Sequence, residues 1–213
     1  MASSLLSELR FGSFLVYSPR GTTPVSVRSR QFCSGVKKGN PEALRIILAQ
    51  LTQQFASTGL SAVLGPDVTL VPAPRSGVLE AGYLWPARLI AEALVAARLG
   101  ASVVPALTRT TAVPKSAFQA RGERPSAKRH YETIAAEPAL ATPRITVVDD
   151  VVTKGNTLIA AASRAAEAFP HAEVAAFALI RTMGLVPEVA NIILGGHPKP
   201  AMHGHLKTGH REP

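Results

Sequence analysis

Ile145-Thr146-Val147-Val148-Asp149-Asp150-Val151-Val152-Thr153-Lys154-Gly155-Asn156-Thr157 is the stretch from which the fold is read. The β-branched run Ile145 to Val148 predicts a buried strand, and the Ala-rich run from Thr157 to Phe169 carries apolar residues at helical spacing. Strand, tight turn and helix in that order make half of a βαβ unit, which implies a parallel sheet covered by helices on both faces. The turn also has a chemical character. Two adjacent carboxylates stand at the strand's end, and Thr153, Lys154 and Gly155 follow just before the helix.

A turn of this kind aims backbone N–H groups, hydroxyls and the positive end of a helix dipole at one spot, the geometry that holds a phosphate dianion. Gly155 lets the backbone approach a ligand closely. Asp149 and Asp150 lie too near that spot to bind the phosphate themselves. They are placed instead to accept hydrogen bonds from sugar hydroxyls or to flank a magnesium ion. An Asp-Asp pair followed by Thr and Gly would on its own be an ordinary solvated connection; the patterned strand, turn and helix together give it weight.

Outward from this stretch, strands and helices alternate. Asn40-Pro41 signals a helix start, and Leu44, Ile47, Leu48, Leu51 and Phe55 continue it to an end near Ser57-Thr58-Gly59. Val68 to Val71, bounded by prolines, predicts a buried strand that runs into Pro72-Ala73-Pro74-Arg75-Ser76-Gly77. A helix follows from Pro86 to about Leu99 with Gly100 as its stop, then a strand over Val103 to Leu107, and later a strand over Glu173 to Ile180. From Thr108 to about Pro143 periodicity fades and Arg109, Lys115, Arg121, Arg124, Lys128, Arg129 and His130 accumulate, which predicts a long mobile loop with room for a short hairpin or helix inside it; loops of that length tend to be functional or disordered. Residues 1–39, rich in Ser, Arg and Gly, read as an irregular or hairpin extension, and the residues from Gly195 as an irregular tail. The expectation is one domain: extension and helix over 1–60, a core over 66–182, and a tail over 183–213.

Composition narrows the classes. A chain of 213 residues, 46% hydrophobic and 17% charged, can bury one substantial core. Cys33 is the single cysteine, so no internal disulfide forms, and no Cys/His spacing matches a zinc site; a cytoplasmic location fits. No run approaches the ~18 apolar residues of a membrane span, although the Arg- and Ser-rich start leaves a transit peptide open. Net charge +9 favours anionic partners. With aromatics at 5% and no basic stretch interleaved with Phe or Tyr, a phosphorylated small molecule is favoured over nucleic acid.

Residues 145–157 resemble the phosphoribosyl-pyrophosphate signature of type I phosphoribosyltransferases: a hydrophobic strand, two acids, two aliphatics, small hydroxylic residues, Gly, any residue and Thr. Val71-Pro72-Ala73-Pro74 is similar to the Val-Pro-x-Pro of the competence-associated branch of that family. The resemblance implies a Rossmann-like parallel sheet with a hood built from terminal segments and a flexible loop over the site. It implies a transferase that binds phosphoribosyl pyrophosphate, or a nucleotide monophosphate, with Mg2+, and passes the phosphoribosyl group to a nitrogen acceptor. Asp149 and Asp150 would meet the ribose diol and the metal, and Val151, Val152, Thr153, Lys154, Gly155, Asn156 and Thr157 would complete the ligand-binding stretch. Arg75, Ser76 and Gly77 would meet the pyrophosphate, and Lys115 and Arg124, with Asp150, would serve catalysis; Arg121 is a further loop cation. A homodimer is expected. Thr146 replaces a usual aliphatic, and Lys154 replaces a usual small residue or Arg. Thr153 stands where hypoxanthine and guanine enzymes carry Asp, which disfavours that subgroup. A non-catalytic nucleotide sensor or a competence-type accessory protein of the same fold is the alternative, and the acceptor is not named by these residues.

Overall fold

In chain order the protein forms β1 (Glu8–Tyr17), α1 (Pro24–Lys37), α2 (Pro41–Thr58), β2 (Thr69–Pro72), α3 (Pro86–Ala96), β3 (Ser102–Val103), β4 (Leu107–Arg109), α4 (Ala127–Glu132), β5 (Ile134–Ala136), β6 (Arg144–Val152), α5 (Asn156–Ala168), β7 (Glu173–Thr182), β8 (His203–Lys207) and β9 (His210–Arg211). These come from a computed structural model that describes residues 5–114, 125–138, 142–184, 188–189, 192, 203–207 and 210–211. The main sheet runs β3-β2-β6-β7-β1-β8-β9. Its strands from β3 to β1 are parallel, and β8 and β9 add antiparallel. A separate antiparallel ribbon pairs β4 with β5. Among the described residues no helix is long and apolar enough to cross a membrane.

The α/β class with a mostly parallel sheet is as the sequence predicts, and the reason is visible in the burial. Phe14, Val16, Leu70, Val148 and Phe177 pack with Ile47, Leu51, Ile90 and Leu94 on one side. Phe11, Val71, Val147 and Ala176 pack with Leu158, Ile159, Leu107 and Ile134 on the other. A strand covered on both faces needs a near-continuous apolar run, and Ile145 to Val148 supplies one broken only by Thr146, whose buried hydroxyl donates to the Val63 carbonyl. The helix start at Asn40 also holds: its Oδ1 accepts the Glu42 and Ala43 amides at 3.0 and 3.1 Å, and Gly59, at φ 68°, ends α2.

Other expectations are corrected. The stretch read as an irregular or hairpin extension is neither over its described residues, 5–39, because β1 lies inside the main sheet between β7 and β8, and α1 follows it. The run 103–107 is not one strand. Pro105 interrupts it, so β3 ends in the main sheet and β4 begins the ribbon. Within the tail read as irregular, β8 and β9 form. Strand β6 continues through both acids to Val152, leaving only Thr153 to Gly155 as the bend.

The start of α1 is tied from far along the chain. The Glu188 carboxylate accepts the Thr22 and Thr23 amides at 2.7 and 3.1 Å and the Thr23 and Ser26 hydroxyls at 2.7 and 2.8 Å. A carboxylate holding amides and hydroxyls at a helix N-terminus is favoured in its charged form. These bonds, the Thr22 amide first, lower its pKa from 4.5 to about 2. The folded value lies below the unfolded one, so the contribution is complete above pH 4.5 and is lost as pH falls toward about 2. Glu188→Gln is expected to flatten the pH dependence of the melting temperature across that window. An unchanged slope would show that the carboxylate does not hold α1.

Candidate functional site

Strand β2 leads through α3 to β3 on one side, whereas β6 leads through α5 to β7 on the other, so the winding of the sheet reverses between β2 and β6. In open α/β sheets the crevice beyond the carboxyl ends of two such strands is where ligands bind. Both sequence-predicted loops rise there. Pro72 stands opposite Val148 in the parallel register, and the Ala73 amide donates to the Val148 carbonyl at 2.7 Å. The structure thereby brings Arg75, Ser76 and Gly77 beside Asp149, Asp150 and the bend 153–155.

Asp149 and Asp150 are partly buried at this edge, and neither forms an ion pair among the described residues. The Asp149 Oδ1 accepts the Asp150 amide at 2.9 Å, and the Asp150 Oδ1 accepts the Val151 amide at 2.8 Å. Burial, and next the Asp150 charge and side chain, push the Asp149 carboxyl well above the usual carboxylate range, with Lys37 opposing. Two acids this close resist simultaneous ionisation unless a cation or hydroxyl donors arrive. Among the described residues no three His, Cys, Asp or Glu side chains cluster into a metal cage. A divalent ion here would need most of its oxygens from a ligand, which suits magnesium's habit of sharing a site with substrate phosphates.

The bend is open. Thr153 and Lys154 are exposed, the Thr153 Oγ1 lies 3.0 Å from the Thr182 Oγ1 at the end of β7, and Gly155 sits at φ 80°. That left-handed conformation favours glycine. Helices α1, α2 and α4 are each capped by a side chain, from Thr23, Asn40 and Ser126, whereas α3 and α5 have no side-chain cap. The first amides of α5 and its positive dipole end therefore face the crevice without an internal acceptor from a cap. Asn156 donates from Nδ2 to the Pro125 carbonyl at 3.0 Å, while its buried Oδ1 has no partner among the described residues. Val151 and Val152 are strand residues; Val152 is buried in the core and holds the bend rather than touching solvent.

On the facing loop, the Arg75 guanidinium lies 4.9 Å from the Tyr83 ring centre, and its buried Nη1 has no hydrogen-bond partner among the described residues. Gly77 is open: a Cβ there would meet nothing within 4 Å. Trp85, the single tryptophan, is buried and donates from Nε1 to the Ala73 carbonyl at 2.8 Å, bracing the loop where it leaves β2. Val78, Leu79, Tyr83 and Leu84 form an exposed apolar lobe beside it. Lys115, Arg121 and Arg124 lie outside the described residues.

Two cavities lie elsewhere. One of about 210 Å3 sits at the amino-terminal edge of the sheet between Asp67, Thr69, Ser102 and Phe169, and an apolar groove runs between α2 and α3 along Leu44, Leu48, Leu89 and Ala93. Neither includes the acid pair. His130 and Tyr131 are structural. His130 is buried, and burial together with the Arg109 charge lowers its pKa to about 4; the Tyr131 hydroxyl donates to Glu167 and the Arg164 guanidinium stacks on its ring.

The residue that sequence reasoning misplaced is Arg109, counted there among the cations of a mobile loop. It is 3% exposed, on β4, with its guanidinium donating to the Arg75 carbonyl at 2.9 Å. On β4 it shares a buried face with Leu107, two residues earlier. No protein-family model matches this chain, and no curated protein matches it.

Proposed function

We propose that the crevice binds phosphoribosyl pyrophosphate, and that the protein is a phosphoribosyltransferase with a nitrogen acceptor. The observation that carries the reading is the meeting of three features at the switch between β2 and β6: the acid pair, the uncapped start of α5 behind Gly155, and the Arg75-Ser76-Gly77 loop. Each suits one part of the ligand. The α5 amides with Thr153 and Thr157 grip the 5'-phosphate. Asp149 and Asp150 accept hydrogen bonds from the ribose hydroxyls, which also relieves their mutual repulsion. Arg75, whose Nη1 awaits an acceptor, takes the pyrophosphate.

Asp149 and Asp150 would help hold magnesium, which when bound supplies charge neutralisation to the departing pyrophosphate. The chain's own contribution is positional. Holding phosphate and diol fixes C1 against an incoming nitrogen, and a preorganised cation at the pyrophosphate stabilises the charge that develops as the C1–O bond breaks. The C1–O bonding pair leaves on the pyrophosphate oxygen, the nitrogen's lone pair forms the new C1–N bond, and any proton on that nitrogen passes to solvent.

The test uses Trp85, because its indole is bonded to the loop in question. Titration with phosphoribosyl pyrophosphate and magnesium is expected to change its emission with a Kd in the ~1 μM to 1 mM range typical of metabolic enzymes, and a nucleobase panel should yield one partner that releases pyrophosphate. No emission change and no heat of binding at ~1 mM would remove the reading. Net charge +9 favours one second reading, a regulator that uses the same pocket as a sensor and binds duplex nucleic acid. It predicts ligand binding without pyrophosphate release, and a duplex affinity that falls steeply with salt.

A further inference from the structure

We infer that Arg109 is a positioning residue that aims the Ser76 and Gly77 amides, and so sets the affinity of the site for its pyrophosphate end. The ligand in this inference rests on the phosphoribosyl pyrophosphate reading; the geometry does not.

A buried guanidinium must find acceptors for its N–H groups, since an unmatched one is costly. Arg109 finds them on two separate elements. Its Nε donates to the Arg75 carbonyl at 2.9 Å, and its Nη1 donates to the Thr133 hydroxyl at 2.6 Å and the His130 carbonyl at 3.1 Å. Its Nη2 lies 3.4 Å from His130 Nδ1. All of these hydrogen-bond partners are uncharged, and Arg109 forms no ion pair among the described residues, although the Asp149 charge acts on it electrostatically and favours its charged form. If packing were its only role, an apolar side chain of similar volume would avoid the desolvation of a buried charge. The guanidinium does two things that no apolar group could: it offers a positive charge to Asp149, which Lys would also supply, and it bridges α4 to the backbone of the 75–77 loop, which depends on the guanidinium's several donors.

That bridge has a geometric result. The next carbonyl along, Ser76, is held from the same side by the Val113 amide at 2.8 Å. In a trans peptide the C=O and the following N–H point in opposite directions. With the Arg75 and Ser76 carbonyls both drawn toward β4 and the residues after it, the Ser76 and Gly77 amides turn the other way together. Neither amide donates a backbone hydrogen bond among the described residues, and Gly77 has no neighbour where a side chain would stand. Successive amides turned to one side form an anion-binding concavity. The Arg75 side chain, with its unpartnered Nη1, belongs to the same peptide units. Arg109 thus acts through the backbone, without touching a ligand.

The test compares the two halves of the ligand. Arg109→Lys keeps the charge but cannot donate to Arg75, His130 and Thr133 at once. It is expected to weaken magnesium pyrophosphate binding by about tenfold or more, the scale of one lost hydrogen bond to an ionised group, while ribose 5-phosphate binds as before. Arg109→Lys combined with Arg75→Ala should be no weaker than Arg75→Ala by as much as the single effects together predict. In the ligand-free protein, amide exchange at Val113 should accelerate while core amides on β6 and β7 stay protected. Thr133→Val, which removes one acceptor and leaves the arginine, should shift the same quantities less far. Equal weakening of both ligands, or unchanged exchange at Val113, overturns the inference. If the unaltered protein binds neither ligand, the phosphoribosyl reading fails, and the Val113 exchange alone decides whether Arg109 holds the loop.

Discussion

Asp149→Asn with Asp150→Asn is expected to yield a protein that melts no lower than the parent and binds phosphoribosyl pyrophosphate at least ~100-fold more weakly. The two halves of this result have one cause. Asp149 is raised by burial and by Asp150, so in the folded state it resists ionising. Its folded pKa lies above the unfolded value, and stability therefore falls as pH climbs from the ordinary carboxylate range toward the raised one. Asn removes that cost and keeps the shape. A ligand presents the opposite case, because ribose hydroxyls or a magnesium ion reward carboxylates and gain little from amides. Thermal melts and calorimetric titration read the two effects separately. A double variant that binds as tightly as the parent would leave the acid pair without a role in the site.

Removing residues 1–18 is expected to abolish folding. Leu9, Phe11, Phe14, Leu15 and Val16 are each no more than 2% exposed. At ~1.5–3 kcal/mol per buried side chain they contribute roughly 8–15 kcal/mol, against a net stability of only ~5–15 kcal/mol for a typical domain. The loss is also structural, since it strips the β7 edge of a parallel partner and orphans β8. The expected observation is an insoluble product, or a soluble one without a cooperative melt. A truncated protein with a sharp transition and native near-UV dichroism would show that β1 is an accessory strand.

That strand is also where reading the sequence fell short, for reasons that lie in particular residues. In β1 the apolar alternation Leu9, Phe11 is interrupted by Gly12-Ser13 before Phe14-Leu15-Val16, so neither a period of two nor an unbroken run stands out. In α1 the buried face is Ser26, Ser29, Cys33 and Val36, which has helical spacing but is polar over its first half. Its serines are buried because other groups satisfy them: Ser29 donates to the Ser26 carbonyl and Ser26 to Glu188. Only the folded chain makes those contacts available. By contrast α2, β2, β6, α5 and β7 were legible, because caps, prolines and apolar runs are local signals.

The same division holds for the site. The acid pair and bend lie within thirteen consecutive residues, and the Arg75 loop follows directly from its strand, so both could be named from sequence. Their adjacency required the order of strands in the sheet. Arg109 required more, since its burial depends on the ribbon closing over it and on acceptors contributed by Arg75, His130 and Thr133.

Phe11 pairs with Ala176, and Tyr17 with Thr182. On the ribosome, β1 emerges before β7 and then waits while the residues between are made, which at ~5–20 residues per second takes on the order of ten seconds. Throughout that interval its apolar side chains have no sheet to join, and the nascent chain carries a sticky, unpaired strand. Chaperone engagement at β1 during translation, released once β7 leaves the exit tunnel, follows from this pairing alone.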